Sequence, residues 1–71
     1  MIPLSFREVE RKLKAAGFSA VAQKGSHVKF AKRTASGVRT AIVPRHRELA
    51  VGTIRSILRQ ADISAEEWQG L

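Results

Sequence analysis

Two helical apolar stripes flanking an alternating, glycine-punctuated middle predict an α+β fold for this 71-residue chain. Phe6, Val9, Leu13 and Ala16 recur at helical spacing near the start, and Ile54, Ile57, Leu58 and Ala61 repeat that spacing further on. Between them, Gly25-Ser26 and Thr34-Ala35-Ser36-Gly37 separate three short runs with the character of strands. Packing both helices on one face of a three-stranded antiparallel sheet buries both stripes at once. The expected architecture is therefore a two-layer domain of order α-β-β-β-α-α, with a short C-terminal helix last. Residues 1–71 are expected to form a single domain, with no repeats, linkers or low-complexity segments.

Each element has a local cause. Ser5-Phe6-Arg7-Glu8 is a capping box, in which Ser5 accepts from the Glu8 amide and the Glu8 side chain reaches back. Leu4 before the cap and Val9 after it form a hydrophobic staple, and Gly17 suits the left-handed position that ends a helix. Phe18 to Lys24 is unbroken by Pro or Gly and is predicted as the first strand. Gly25-Ser26 then turns the chain into a second strand from His27 to Lys32, with Val28 and Phe30 on one face and His27 and Lys29 on the other. A hairpin loop at 34–37 leads to a third strand, Val38 to Val43, closed by Pro44.

A symmetric loop sets Arg33 opposite Val38, Phe30 opposite Ala41, Val28 opposite Val43 and His27 opposite Pro44. If the extended path continues, His46 lies about 7–8 Å diagonally from His27. A slip of one residue would exchange the two faces of the third strand. Arg45 to Leu49 is predicted as a polar connection, and the second helix starts near Val51. Asp62-Ile63 breaks it, and Ser64-Ala65-Glu66-Glu67 is a second capping box opening the last helix with Trp68.

Composition narrows the function. The chain carries 13 Lys and Arg against 6 Asp and Glu, and three of those acids fall in the last ten residues. From Arg11 to Arg47 there are ten Lys or Arg residues and no acid. Such a field attracts polyanions, nucleic acid first and an acidic protein second. A membrane surface is disfavoured, because no helix sets basic residues against a broad aromatic face. No apolar run approaches the ~20 residues of a membrane span and no signal-like segment opens the chain, so a cytoplasmic location is expected. Without cysteine there is neither thiolate chemistry nor a Cys-based zinc site, and two histidines make a poor metal cage. A domain this small buries only about 60% of its unfolded surface, so any site should be shallow.

His27 is the leading candidate for chemistry. Internal cleavage of RNA removes a proton from a 2′-hydroxyl and supplies one to the departing 5′-oxygen, and imidazoles as a class exchange protons near cellular pH. Lys24 and Lys29 beside it would bind phosphate. The competing reading is an ordinary exposed strand histidine, and residue types alone leave both open. Gly25 and Ser26 offer amides and a hydroxyl to a phosphate oxygen, or simply form a turn. Ser26 is a poor nucleophile, since no adjacent acid would orient a Ser-His pair. Arg45, His46 and Arg47 form a phosphate clamp or a plain polar loop, with equal weight. Phe6, Phe18 and Phe30 fit the core and no tyrosine is present, so affinity should come mainly from backbone electrostatics with weak base selection.

At Gly25-Ser26-His27-Val28-Lys29-Phe30 the chain resembles the HicA mRNA interferase toxins of HicA–HicB toxin–antitoxin pairs. The likeness continues through Ala16-Gly17-Phe18, Pro44-Arg45-His46, the run Gly52 to Ala61, and Ile63-Ser64-Ala65-Glu66-Glu67-Trp68. Several short motifs in order and spacing are more specific than any one of them. Val21 and Ala22 depart mildly, standing where relatives are often more polar. The resemblance implies a fold like that of double-stranded-RNA-binding domains, catalysis centred on His27, and no metal or organic cofactor. It also implies a HicB-type antitoxin that covers His27, and it places Pro44-Arg45-His46 near the site. The expected activity is metal-independent endoribonuclease cleavage of mRNA with relaxed sequence preference, by a toxin monomeric in isolation. The rivals are a non-catalytic RNA-binding module on the same fold and, more weakly, a DNA-binding adaptor. Neither helix has the polar recognition face and preceding turn that the adaptor needs.

Overall fold

A computed structural model describes all residues, Met1–Leu71. The elements run β1 (Leu4–Ser5), α1 (Phe6–Ala15), β2 (Ser19–Lys24), β3 (His27–Thr34), β4 (Gly37–Pro44), β5 (Glu48–Leu49), α2 (Val51–Ala61) and α3 (Ala65–Gln69). The main sheet has the order β2-β3-β4 and is antiparallel throughout. The molecule extends 32 × 30 × 17 Å, and the short dimension is that of one helix layer on one sheet. The α+β two-layer architecture expected from the sequence is the one observed.

One core lies between the layers. Val9 and Leu13 of α1 and Ile54, Ile57, Leu58 and Ala61 of α2 are buried against Val28 and Phe30 of β3 and Ala41 and Val43 of β4. Trp68 of α3, 1% exposed, closes one end, and no polar side chain is buried. Lys12 holds α3 in place: its Nζ donates to the Trp68 carbonyl at 2.8 Å and sits 5.3 Å from the Trp68 ring centroid.

The β3–β4 register is the expected one, with His27 opposite Pro44, Val28 opposite Val43 and Phe30 opposite Ala41. Pairing runs further than expected, to Thr34 opposite Gly37, which leaves only Ala35 and Ser36 in the loop. Thr34 accounts for this: its hydroxyl donates to the Gly37 carbonyl at 2.7 Å and accepts from the Ser36 amide at 3.3 Å. The first strand begins at Ser19 rather than Phe18, because Phe18 turns into the core.

Two features differ from expectation. The segment predicted as a polar connection contains β5, which pairs with β1 through Leu4–Leu49 and Ser5–Glu48. Leu49 is buried and Leu4 packs on the core, so burial at both ends recruits the short bridge. The capping boxes are half formed. Ser5 and Ser64 accept from the Glu8 and Glu67 amides at 3.1 and 3.0 Å, but the Glu8 carboxylate turns to Arg11 instead of reaching back. The charge-assisted bond from Arg11 holds the exposed Glu8 carboxyl below its ordinary range.

Candidate functional site

Alternation along β3 divides the sheet into two faces. Val28 and Phe30 face the helices, while His27 and Lys29 are exposed on the open face. Lys24 of β2 stands directly opposite His27, and Ala22 opposite Lys29. The two-residue turn at Gly25-Ser26 sets this alignment, and a bulge between Ala20 and Ala22 shifts the register further along β2. The extra residue, Val21, is 57% exposed on the edge strand. Ala22 to Lys24 thus keep the phase the turn sets, with Lys24 on the face of His27, while past the bulge Ala20 stands opposite Phe30 and Ser19 opposite Ala31. The open face therefore carries His27 between two lysines, with Arg33 further along the same strand face and Ile42 across from Lys29.

The turn before His27 is tightly held. Gly25 takes φ 58°, the sign that the first position of a two-residue hairpin turn requires. The Ser26 carbonyl accepts the backbone N–H of Arg45, and the Gly25 carbonyl accepts from Gln23 Nε2 at 3.2 Å. Gln23 Oε1 in turn accepts from the Arg45 guanidinium at 3.2 Å. That guanidinium lies 5.5 Å from the Phe6 ring centroid, and Phe6 packs against Phe30 with centroids 6.4 Å apart. A chain of contacts thus runs from the core through Phe6, Arg45 and Gln23 to the turn that presents His27.

The sequence-predicted site residues fall into two groups. Lys24, Gly25, Ser26, His27 and Lys29 lie together at the open face and its rim. Arg45 does not join them with its side chain; its guanidinium reaches to the helix side of the sheet, toward Phe6. Strand β4 ends at Pro44, so the extended path that would have set His46 diagonal to His27 stops there. Arg45, His46 and Arg47 instead line a shallow groove of about 530 Å³ with Phe6, Arg7 and Glu10 of α1. A larger concavity of about 940 Å³ lies between α2 and α3 and contains none of these residues.

Gln23 and Phe6 are contributors that residue-by-residue reading missed. Gln23 stands on the helix side of the exposed strand β2, opposite Val28, and no signal in the sequence marks it as the partner of Arg45. No three His, Cys, Asp or Glu side chains converge anywhere in the molecule. No helix is long and apolar enough to cross a membrane.

The open face thus presents one imidazole between two lysine side chains, all exposed. A family model described as the HicA toxin of bacterial toxin–antitoxin systems matches residues 6–63, a span from the first residue of α1 to the buried Ile63 just beyond α2. No individual curated protein matches the chain.

Proposed function

Because the chain belongs to the HicA family, the toxin side of bacterial toxin–antitoxin pairs, we propose that it is a metal-independent endoribonuclease acting on mRNA, with His27 as its proton-transfer group. The observation that carries this reading is the exposure of His27 on the open sheet face, on the same rung as Lys24 and two residues from Lys29.

Single-stranded RNA docks by its phosphates along that face. The 2′-oxygen attacks the adjacent phosphorus, the bond from phosphorus to the 5′-oxygen breaks, and the proton passes from the first oxygen to the second. His27 removes that proton or supplies it to the leaving oxygen, a role worth about 10²–10⁴ in rate. Lys24 and Lys29 neutralise charge building on the phosphoryl oxygens, the Gly25-Ser26 turn approaches the backbone, and Arg45, His46 and Arg47 hold the strand beyond. The products are a 2′,3′-cyclic phosphate, or the 3′-phosphate from its hydrolysis, and a 5′-hydroxyl. A HicB-type antitoxin of acidic character neutralises the toxin in the cytoplasm by covering His27.

The test is incubation of RNA with the purified protein in the presence of chelator, wild type beside His27→Ala. Wild type should cut and leave 5′-hydroxyl ends, and the variant should be slower by at least about 100-fold while remaining folded. Cleavage that persists in the variant removes His27 from its role, 5′-phosphate ends contradict the chemistry, and wild-type loss in chelator points to a metal.

One observation favours a second reading. None of the molecule's side-chain hydrogen bonds reaches the His27 ring, whereas catalytic imidazoles are commonly oriented by a third group. In that reading the domain grips RNA without cutting it. Retention of RNA by His27→Ala with no cleavage by either protein is its signature.

A further inference from the structure

The groove between α1 and residues 45–47 has a more specific use than general attraction for RNA. We propose that it is a second anion subsite, which holds a phosphate flanking the scissile one while His27 acts on the other side of the turn. This inference rests on the nuclease reading and adds Arg7 to the residues that touch RNA.

The first support is the state of Arg45. Its guanidinium lies over Phe6, 5.5 Å from the ring centroid, and donates one hydrogen bond to Gln23 at 3.2 Å. A guanidinium has five N–H donors in one plane, so most of them remain available in a set orientation. A cation already held in place loses little freedom when it takes a phosphate, and its planar fork matches two phosphate oxygens. Both Arg45 and the Phe6 beneath it line the groove.

Charge balance is the second support. Arg7 and Arg47 flank Arg45 in the same groove. The molecule's ion pairs are Arg11–Glu8, Lys14–Glu10 and Arg39–Asp62, so none of the three groove arginines has a carboxylate partner. Glu10 is the one acid in the groove wall, and Lys14 draws it away at 3.7 Å. The larger concavity beside Arg55 and Arg59 includes Asp62 and Glu67 and is a poorer home for an anion.

Continuity is the third. Pro44 stands opposite His27, and the next residue, Arg45, is bonded through its backbone to Ser26. The groove therefore begins one residue from the rung that carries His27. An RNA strand that bends over the Gly25-Ser26 turn meets the open face with one phosphate and the groove with a neighbouring one.

Substrate length reads this out. A dinucleotide has one phosphodiester and cannot fill the groove, whereas a tetranucleotide with the same central step can. Wild type should prefer the tetranucleotide in kcat/KM. Arg7→Gln, which keeps a good helix former in α1, should narrow that preference by about threefold to tenfold through KM. The slope of log KM against log salt should become shallower by about 0.7, the value of one phosphate contact on a single strand. Binding of a 2′-deoxy tetranucleotide, which cannot be cut, should weaken by the same factor. An unchanged preference and slope overturn the subsite, as does a kcat loss equal for both substrates. Arg7→Gln binding RNA like wild type but losing affinity for an acidic partner protein also overturns it, since the groove then serves that partner. Intact, Arg7-dependent binding of the deoxy oligonucleotide without any cleavage sinks the nuclease reading and leaves the subsite standing.

Discussion

Gly25 is where backbone conformation and chemistry meet in one residue. Its φ of 58° lies in the left-handed region, and a Cβ built there meets no atom within 4 Å. The cost of Gly25→Ala is therefore conformational alone, about 1 kcal/mol. In a domain of this size that is a melting-temperature loss of about 4–8 °C. Gly25→Asn should recover most of it, because Asn tolerates that region. Gly17 is a different case despite its φ of 99°, since Lys32 Cε lies only 3.1 Å from the position of a new Cβ and must move as well. Thermal unfolding of the two Gly25 variants beside a cleavage assay tests whether the turn matters for more than stability. Strain that tilts His27 lowers cleavage beyond what the folded fraction explains. Equal melting of Gly25→Ala and wild type would show that the turn relaxes without a glycine.

Between elements, the legible and illegible parts of the fold separate by sequence distance. The β3–β4 register could be read because the loop at Ala35-Ser36 is symmetric and short, so local turn chemistry sets every rung up to His27 and Pro44. The β1–β5 bridge could not, because Leu4 and Leu49 are brought together only after α1 and the sheet have packed. The bulge at Val21 has no glycine to announce it, and it shifts Ser19 and Ala20 out of the phase that the Gly25-Ser26 turn sets for Lys24 and His27. The Gln23–Arg45 contact depends on the path of the chain beyond Pro44, so the helix-side position of Arg45 was out of reach of alternation alone. Helix α2 supplies a further long-range contact. Gln60 Oε1 accepts the outward-pointing amide of Ile42 at 3.0 Å, which closes part of the β4 edge. Gln60→Ala should free that amide and cost about 0.5–1.5 kcal/mol, the worth of one net hydrogen bond. Hydrogen exchange is the direct measurement: the Ile42 amide should exchange faster in the variant relative to the Phe30 amide inside the sheet. Parallel acceleration of both would mean only a global loss of stability.

Over the whole molecule, the arrangement of charge links the fold to its proposed substrate. The formal charge is +7, but three acids lie in the last ten residues, and Glu8 and Glu10 are bonded to cations on their own helix. Apart from Glu48, next to Arg47 in sequence, what remains is a cationic band running from Lys29 and Lys24 over the turn to Arg45, Arg47 and Arg7. Ile42 and Val38 interrupt the open face with 40% and 62% exposure, and no aromatic ring stands there for bases to stack on. Affinity for RNA should thus be almost wholly a matter of phosphates and released counterions. If the band neutralises about four phosphates, log affinity should fall with log salt at a slope of about −2.8, or roughly 50-fold between 50 and 200 mM. Homopolymers of different base should bind within a narrow range at any one salt concentration, because stacking contributes little. A slope near zero, or strong base preference that survives high salt, would mean that RNA is held by contacts other than this band. The same salt series on a Lys24→Gln, Lys29→Gln double variant should lose about 1.4 from the slope, two phosphate contacts' worth, if both ammonium groups meet the strand beside His27.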